Sequence, residues 1–295
     1  MSCAQLLVLH KGAEIAVSLT TNLINRSRQG VDMSLTGIQA QILEAKRARL
    51  AHLHTRPLDE LREEALARRR NASPYKLRDA ISQPDRLNII AEMKRASPWP
   101  DVIQTEIEPA DLALAYSGSG AAAISVWTEE DYFHGSIDDL RSVRAAVELP
   151  VLRKDFIIES SQVYETAIAG ADALLLIAAV LDQERLALLL RITEEDLNLD
   201  ALVQVQNANE MLQVHAIGGT LIVVNNRNLS TLEVSLDLSV EVARVAPEGV
   251  LLVSENGLRT RKHLRGLRTL GYKGFIMCES PIDGDLPGGI SRDLV

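Results

Sequence analysis

A (β/α)8 barrel carrying an N-terminal helical extension is the fold this sequence predicts, on three observations. From Leu87 onward, about eight short β-branched apolar runs recur roughly 20–35 residues apart, the length of a βα unit. Amphipathic stretches separate them. The runs are apolar along their whole length rather than alternating, as parallel strands are when helices cover their outer face.

The predicted strands are Asn88–Met93, Ala122–Trp127, Val151–Lys154, Ala173–Ile177, Ala201–Val205, Leu221–Asn225, Val250–Ser254 and Gly274–Met277. Helical patterns lie between them, including Ile137–Val147, Gln162–Ala169, Gln183–Glu194, Leu236–Val245 and Thr260–Leu270. Ser136 or Asp138 is placed to cap the first of these, and Gly170 and Gly271 stand where C-terminal glycines fall. Gly118-Ser119-Gly120 precedes a strand, so it reads as a helix-to-strand turn. A Rossmann fold would want G-x-G-x-x-G after its first strand, and none is there. The segment 37–70 is a helical pattern with an apolar stripe (Ile38, Ile42, Leu43, Leu50, Leu53, Leu61, Leu66) interrupted at Pro57. The chain thus reads as a poorly defined segment over 1–34 and one barrel domain over 35–295. The apolar run 6–9 lacks the preceding basic residue a secretory signal requires, and Met33 is a candidate natural start.

Composition narrows the function. Of 295 residues 46% are hydrophobic and 24% charged, with a formal net charge of −9, and mean hydropathy is +0.03. Such an acidic balance opposes nucleic-acid binding unless basic residues cluster. The main cluster, Arg68-Arg69-Arg70 after Lys46, Arg47 and Arg49, is diluted by Glu60, Glu63 and Glu64 and reads as a solvated helix face. No run is long enough to span a membrane. Cys3 and Cys278 suit a reducing cytoplasm better than a disulfide framework. The six histidines form no metal-ligand spacing.

In a barrel, the C-terminal strand ends share one mouth. Those ends carry Glu92 and Lys94, Trp127 with Glu129, Lys154, Ile177, Gln204, Asn225, Glu255 and the pair Cys278-Glu279. Glu92 and Lys94 are two apart and leave one strand on the same face. Lysines among carboxylates, with no His or Cys partner, point to proton transfers at a carbonyl rather than a nucleophile triad. A Schiff-base role stays open. The turns after the last two strands, Ser254-Glu255-Asn256-Gly257 and Cys278-Glu279-Ser280, are candidate phosphate cradles.

Several of these stretches resemble the indole-3-glycerol phosphate synthase family. They are Ile90-Ala91-Glu92-Met93-Lys94-Arg95-Ala96-Ser97-Pro98, Ser125-Val126-Trp127-Thr128-Glu129 with Tyr132-Phe133-His134-Gly135-Ser136, and Pro150-Val151-Leu152-Arg153-Lys154-Asp155-Phe156. Gly170-Ala171-Asp172-Ala173-Leu174-Leu175-Leu176-Ile177, Asn225-Asn226-Arg227-Asn228-Leu229 and Val253-Ser254-Glu255 follow in order. The resemblance implies closure of the indole five-membered ring from 1-(2-carboxyphenylamino)-1-deoxyribulose 5-phosphate, with loss of carbon dioxide and water and no cofactor or metal. It implies that Lys154 is the general acid at the ketone oxygen and that Lys94 contacts the carboxylate and phosphate region and serves later proton steps. By the same resemblance Glu92, Asn225 and Glu255 are expected to form the supporting polar shell. It implies that Phe133, Phe156 and Leu175 meet the anthranilate ring, while Ser97, Arg227, Asn256, Gly257, Cys278 and Glu279 contact substrate and phosphate. The implied partner is a phosphorylated small molecule with an anthranilate moiety, without nucleic acid or membrane, and a monomer or weak homo-oligomer is expected.

The chain departs from that pattern at its site. The family's fifth strand reads Leu-Val-Glu-Val-His, and its glutamate is the proposed general base; here it is Leu202-Val203-Gln204-Val205-Gln206. An amide takes no proton near neutral pH, so lower activity is expected. A mobile Ser-Lys-Gly loop becomes Trp99-Pro100-Asp101. Met277-Cys278-Glu279-Ser280 has lost the glycine of the phosphate turn, and the eighth helix is expected to be short or absent. The alternative reading is a non-catalytic or repurposed barrel that binds a phosphosugar or aromatic carboxylate; a related barrel acting on another phosphorylated intermediate, such as an Amadori-type isomerase, is a third.

Overall fold

The computed structural model describes residues 37–53, 56–99, 108–228 and 231–278. Eight parallel strands pair in sequence order and close on themselves, β8 against β1. They are β1 (Asn88–Met93), β2 (Ala123–Trp127), β3 (Val151–Lys154), β4 (Ala173–Ile177), β5 (Asp200–Val205), β6 (Leu221–Asn225), β7 (Leu251–Glu255) and β8 (Tyr272–Cys278). The boundaries differ from the sequence expectation by at most two residues. Helices follow the strands on the outside, so both faces of the sheet are covered and the strands are buried almost throughout.

Alternation along each strand sorts the core into two layers. Ile89, Ala91, Val126, Leu174, Leu176, Val203 and Val224 face the outer helices. Ile90, Ala123, Leu152, Ala173, Leu175, Leu202, Leu221, Val223, Val253 and Ile276 fill the interior. The barrel is therefore packed rather than open beneath its mouth.

The N-terminal end of the barrel is plugged. The helix Lys76–Ile81 buries Leu77 and Ile81 in the interior cluster. Asp200, at the start of β5, accepts from the backbone N–H groups of Leu77 (2.8 Å) and Arg78 (3.1 Å). Asn88 Nδ2 donates to the carbonyls of Ile81, Gln83 and Lys273. Gly274 packs closely beneath this helix, where an added Cβ would stand 3.3 Å from Ile81 Cγ2. This helix escaped the sequence reading because six residues carry too little periodicity. Pro109–Gly118 also escaped it; this helix is apolar enough to lack a clear polar face. Ala208–Ala216 was not singled out either, although Asn207 caps it by accepting from the Glu210 N–H.

Over 37–70 there are two helices, Ile38–Leu53 and Leu58–Arg69, on either side of Pro57. The second packs against the helix Ser160–Ala169. One expectation is corrected here: the basic cluster is not wholly a solvated face. Lys46 is buried, with Nζ 2.7 Å from Glu130 and 2.9 Å from Asp155. Arg69 is buried too, donating to the carbonyls of Leu197, Asn198 and Ser73. Both cations tolerate burial because oxygens meet Lys46 Nζ and the Nε and Nη2 of Arg69. Arg68 and Arg70 remain exposed.

The pattern at Gln183–Glu194 resolves into the helix Gln183–Arg191 and a wider π turn, Ile192–Asp196. Ser136 Oγ accepts from the Asp139 N–H, which settles the cap between the two candidates. Gly170 and Gly271 have φ of 90° and 100°. Among the described residues, no helix is long and apolar enough to cross a membrane. Segment 1–34, the candidate start at Met33 and the eighth helix lie outside the described residues.

Candidate active site

Strand register gathers the strand-end residues into one layer. Glu92 stands beside Cys278, Trp127 beside Lys154, Ile177 beside Gln204 and Asn225 beside Glu255. Each is spaced by two, or by four in the case of Trp127, from an interior core residue, so all point inward above the packed layer. They line a cavity of about 440 Å3 at the C-terminal mouth. That volume suits a ligand the size of a phosphorylated, aryl-substituted sugar.

Lys154 lies at the centre. Its Nζ is 2.7 Å from Glu92 Oε2 and 2.7 Å from Glu255 Oε2, and 5.0 Å from the Trp127 ring centroid. Burial disfavours the ammonium more than any other single influence. The charges of Glu255 and Glu92, with their hydrogen bonds, together outweigh it and hold Lys154 above the ordinary lysine range. Lys94 Nζ is 3.9 Å from Glu92 Oε1. The two carboxylates are not equivalent. Burial opposes ionisation of Glu92, yet Lys154 and Lys94 together keep it below the usual carboxylate value. Glu255 is pushed up by burial and by the charge of Glu92, and Lys154 only partly offsets this.

A buried scaffold stands behind Lys154. Asp155 binds Lys46 (2.9 Å), Arg153 (3.0 Å), the Thr128 hydroxyl (2.7 Å) and the N–H of Phe156 (2.8 Å). Burial works against its charge, but Lys46 and Arg153 overcome this and hold its carboxyl down at about 2. The helical extension is thereby fastened to the end of β3, next to the central lysine.

One wall is aromatic. Phe133 stacks on Trp127 with centroids 3.7 Å apart and planes 4° from parallel, and Trp99 meets Phe133 edge-on at 5.5 Å. Phe156 is tilted against Trp127 at 6.4 Å. The chain has two tryptophans and three phenylalanines, and all but Phe275 line this one cavity. Such a concentration in a chain poor in aromatics suits a flat ring.

The opposite wall is polar and turn-rich. Asn225 Oδ1 accepts from the Arg227 N–H (2.9 Å) and from Asn256 Nδ2 (2.8 Å). Asn256 and Gly257 both take positive φ, 64° and 74°. A Cβ on Gly257 would lie 2.8 Å from Val234 Cγ1. Asn226, fully buried, organises the turn: Nδ2 donates to Ser254 Oγ and to the carbonyls of Glu255 and Asn256, while Oδ1 accepts from Ser239 N and Oγ. Arg227, Arg259 and Cys278 complete the lining.

Most of the expected residues meet here: Glu92, Lys94, Phe133, Lys154, Phe156, Gln204, Asn225, Arg227, Glu255, Asn256, Gly257 and Cys278 all line the cavity. Three expectations do not end there. Leu175 is fully buried two residues before Ile177, one layer beneath the cavity, and belongs to the interior core. Ser97 stands in the loop after β1, where its hydroxyl accepts from the Trp99 N–H, and is not part of the lining. Glu129, read as a mouth residue, instead turns into its own loop and accepts from the N–H groups of Asp131, Tyr132 and Phe133. Glu279, Pro100 and Asp101 lie outside the described residues. The sequence reading missed Arg259, for which no spacing rule gave a signal. It met Trp99 only as a loop substitution and Asn226 only within a motif. Among the described residues, no three His, Cys, Asp or Glu side chains could together hold a metal ion.

The geometry can now be set beside known proteins. A family model described as indole-3-glycerol phosphate synthase matches residues 39–285. Similar proteins of that name include one from Carboxydothermus hydrogenoformans, 39% identical over 84% of this chain and 96% of its own length. Another, from Polaromonas naphthalenivorans, is 37% identical over 88% of this chain and 99% of its own length. A third, from Parafrankia sp., is 44% identical over 73% of this chain and 80% of its own. Among solved structures, N-acetylmannosamine-6-phosphate 2-epimerase from Clostridium perfringens aligns with a TM-score of 0.52 at 14% identity, covering 76% of this chain and 93% of its own. At that identity the likeness speaks to the barrel alone. By the extent of the family match and the length of its relatives covered, this chain belongs to the indole-3-glycerol phosphate synthase family.

Proposed function

We propose that this chain closes the indole ring of 1-(2-carboxyphenylamino)-1-deoxyribulose 5-phosphate, releasing carbon dioxide and water. The observation that carries the reading is the lysine ammonium clamped between two buried carboxylates at 2.7 Å, on the floor of an aromatic-walled cavity. In this reading the anthranilate ring lies against Trp127, Phe133 and Phe156. The ketone oxygen approaches Lys154 Nζ, which donates its proton as the carbon–carbon bond forms. Lys94 neutralises the carboxylate until it departs and serves the later proton steps. The phosphate end lies toward Arg227, the Asn256-Gly257 turn and Cys278, where a backbone of positive φ can turn its N–H groups to an anion. The proposal takes in a cytoplasmic protein, monomeric or weakly self-associating, that binds neither nucleic acid nor membrane.

The test is an assay with that substrate, followed by the fluorescence of the indole product. Turnover is expected, with Lys154→Ala lowering kcat by roughly 10²–10⁴-fold. Substrate binding without any product would instead support a binding-only barrel.

A further inference from the structure

Ring closure ends with loss of a proton from carbon, and Gln204 cannot take it. Among the described residues, the cavity offers two carboxylates for the task, Glu92 and Glu255. Glu92 is held by two cations, Lys154 at 2.7 Å and Lys94 at 3.9 Å. Glu255 has Lys154 at 2.7 Å and the like charge of Glu92 across that lysine. We propose that Glu255 is the general base in this chain, standing in for Gln204, and that it returns the proton it takes to Lys154 across their shared hydrogen bond. The inference rests on the ring-closing reading above.

The ring carbon bearing the carboxylate attacks the ketone carbon; the carbonyl π pair moves to oxygen, and Lys154 delivers its proton there and becomes neutral. The pair of the carbon–carboxylate bond returns to the ring as carbon dioxide leaves. A second proton, from Lys94, lets the new hydroxyl depart as water. The methylene carbon beside the nitrogen then loses a proton, and its C–H pair becomes the ring double bond. Glu255 accepts that proton and passes it to neutral Lys154. One solvent proton recharges Lys94, so each turnover takes up one proton and releases carbon dioxide and water.

The timing favours Glu255. Once Lys154 has given its proton away, Glu255 loses the cation 2.7 Å from it, the stronger of the two lysine charges acting on it, while the negative Glu92 stays nearby, so its affinity for a proton rises when a base is needed. Glu92 keeps the Lys94 charge at 3.9 Å until that lysine protonates the leaving hydroxyl, so its affinity for a proton rises one step later than that of Glu255. Burial and the charge of Glu92 already push Glu255 up before substrate arrives, in the direction a base working near neutrality requires. The two carboxylates and Lys154 titrate as one set, so the pH profile belongs to the cluster.

The experiment is a double-mutant cycle on turnover, comparing the parent chain, Glu255→Gln, Gln204→Glu and the pair together. In the parent background Glu255→Gln lowers kcat by roughly 10²–10⁴-fold and removes the acid limb of its pH profile. With Gln204→Glu present, a second base restores the function, and Glu255→Gln costs less than about tenfold. Equal losses in both backgrounds mean that Glu255 only positions Lys154, which overturns the proposal. So does a loss below about tenfold in the parent. If Glu255→Gln does not fold, as read by circular dichroism, Glu255→Asp replaces it: a shifted acid limb is expected, and an unmoved limb overturns the assignment. Absence of turnover in all four proteins overturns the ring-closing function and the base assignment together. Turnover indifferent to Glu255 overturns the base assignment alone.

Discussion

Lys154 can serve as an acid only while it keeps a proton to give, and two carboxylates at 2.7 Å secure that proton against the cost of burial. Its folded value is raised, so the ammonium persists as pH rises through the ordinary lysine range. The alkaline limb of kcat/KM for the parent should therefore not fall below about pH 10 on account of this residue; a limb near pH 8 that vanishes in Lys154→Arg would contradict the assignment. Phe133 supports the same site through its stack on Trp127. Replacing it with Leu removes the aromatic face and should raise KM roughly two- to tenfold, a shift matching the worth of one aromatic contact. An unchanged KM would mean that the ring binds elsewhere.

At the scale of elements, the turns after β6 and β7 are one structure, held by Asn226. Its side chain joins β6, β7 and the helix Asp237–Val245 through Ser239. Asn226→Ala leaves those buried groups unpaired and should cost about 2–3 kcal/mol of stability, read by denaturant midpoint, along with a raised KM. Gly257→Ala places a Cβ at positive φ against Val234, which should cost about 1–2 kcal/mol. Melting temperatures unchanged in both variants would show the turn to be dispensable. Much of this was legible in the sequence. Strands with period-two alternation dictate that Glu92, Lys154, Gln204, Asn225 and Glu255, as strand-end residues, share a face. The same counting, carried through β4, points to Ile177 at the mouth and leaves Leu175 a layer below; motif likeness had suggested otherwise. Glu129 was not legible, because the choice between cavity and its own loop depends on where three backbone N–H groups lie. Arg259 reaches the rim only through the path of the Asn256-Gly257 turn, which no periodicity encodes.

Across the whole molecule, one buried ion cluster fastens the helical extension to the barrel beside the site. Lys46 comes from the helix Ile38–Leu53 and meets Asp155, which also holds Arg153 and the Phe156 backbone. The alternation of runs that predicts the barrel says nothing of this tie, since Lys46 read locally is one more charge on a basic helix. Asp155 sits at about 2 in the folded protein, below its unfolded value. Its contribution is thus complete above about pH 4 and is lost as pH falls toward 2, on the order of 2 kcal/mol. Asp155→Asn should flatten stability against pH across that window; a parental slope retained in the variant would place the acid-sensitive group elsewhere. What the mouth of the barrel does is close a ring with loss of carbon dioxide. The most direct measurement is the stoichiometry of one reaction, carbon dioxide released against indole product formed from the carboxyphenylamino-deoxyribulose phosphate. One carbon dioxide per indole is the predicted result, and substrate that is bound or isomerised without release of carbon dioxide would contradict it.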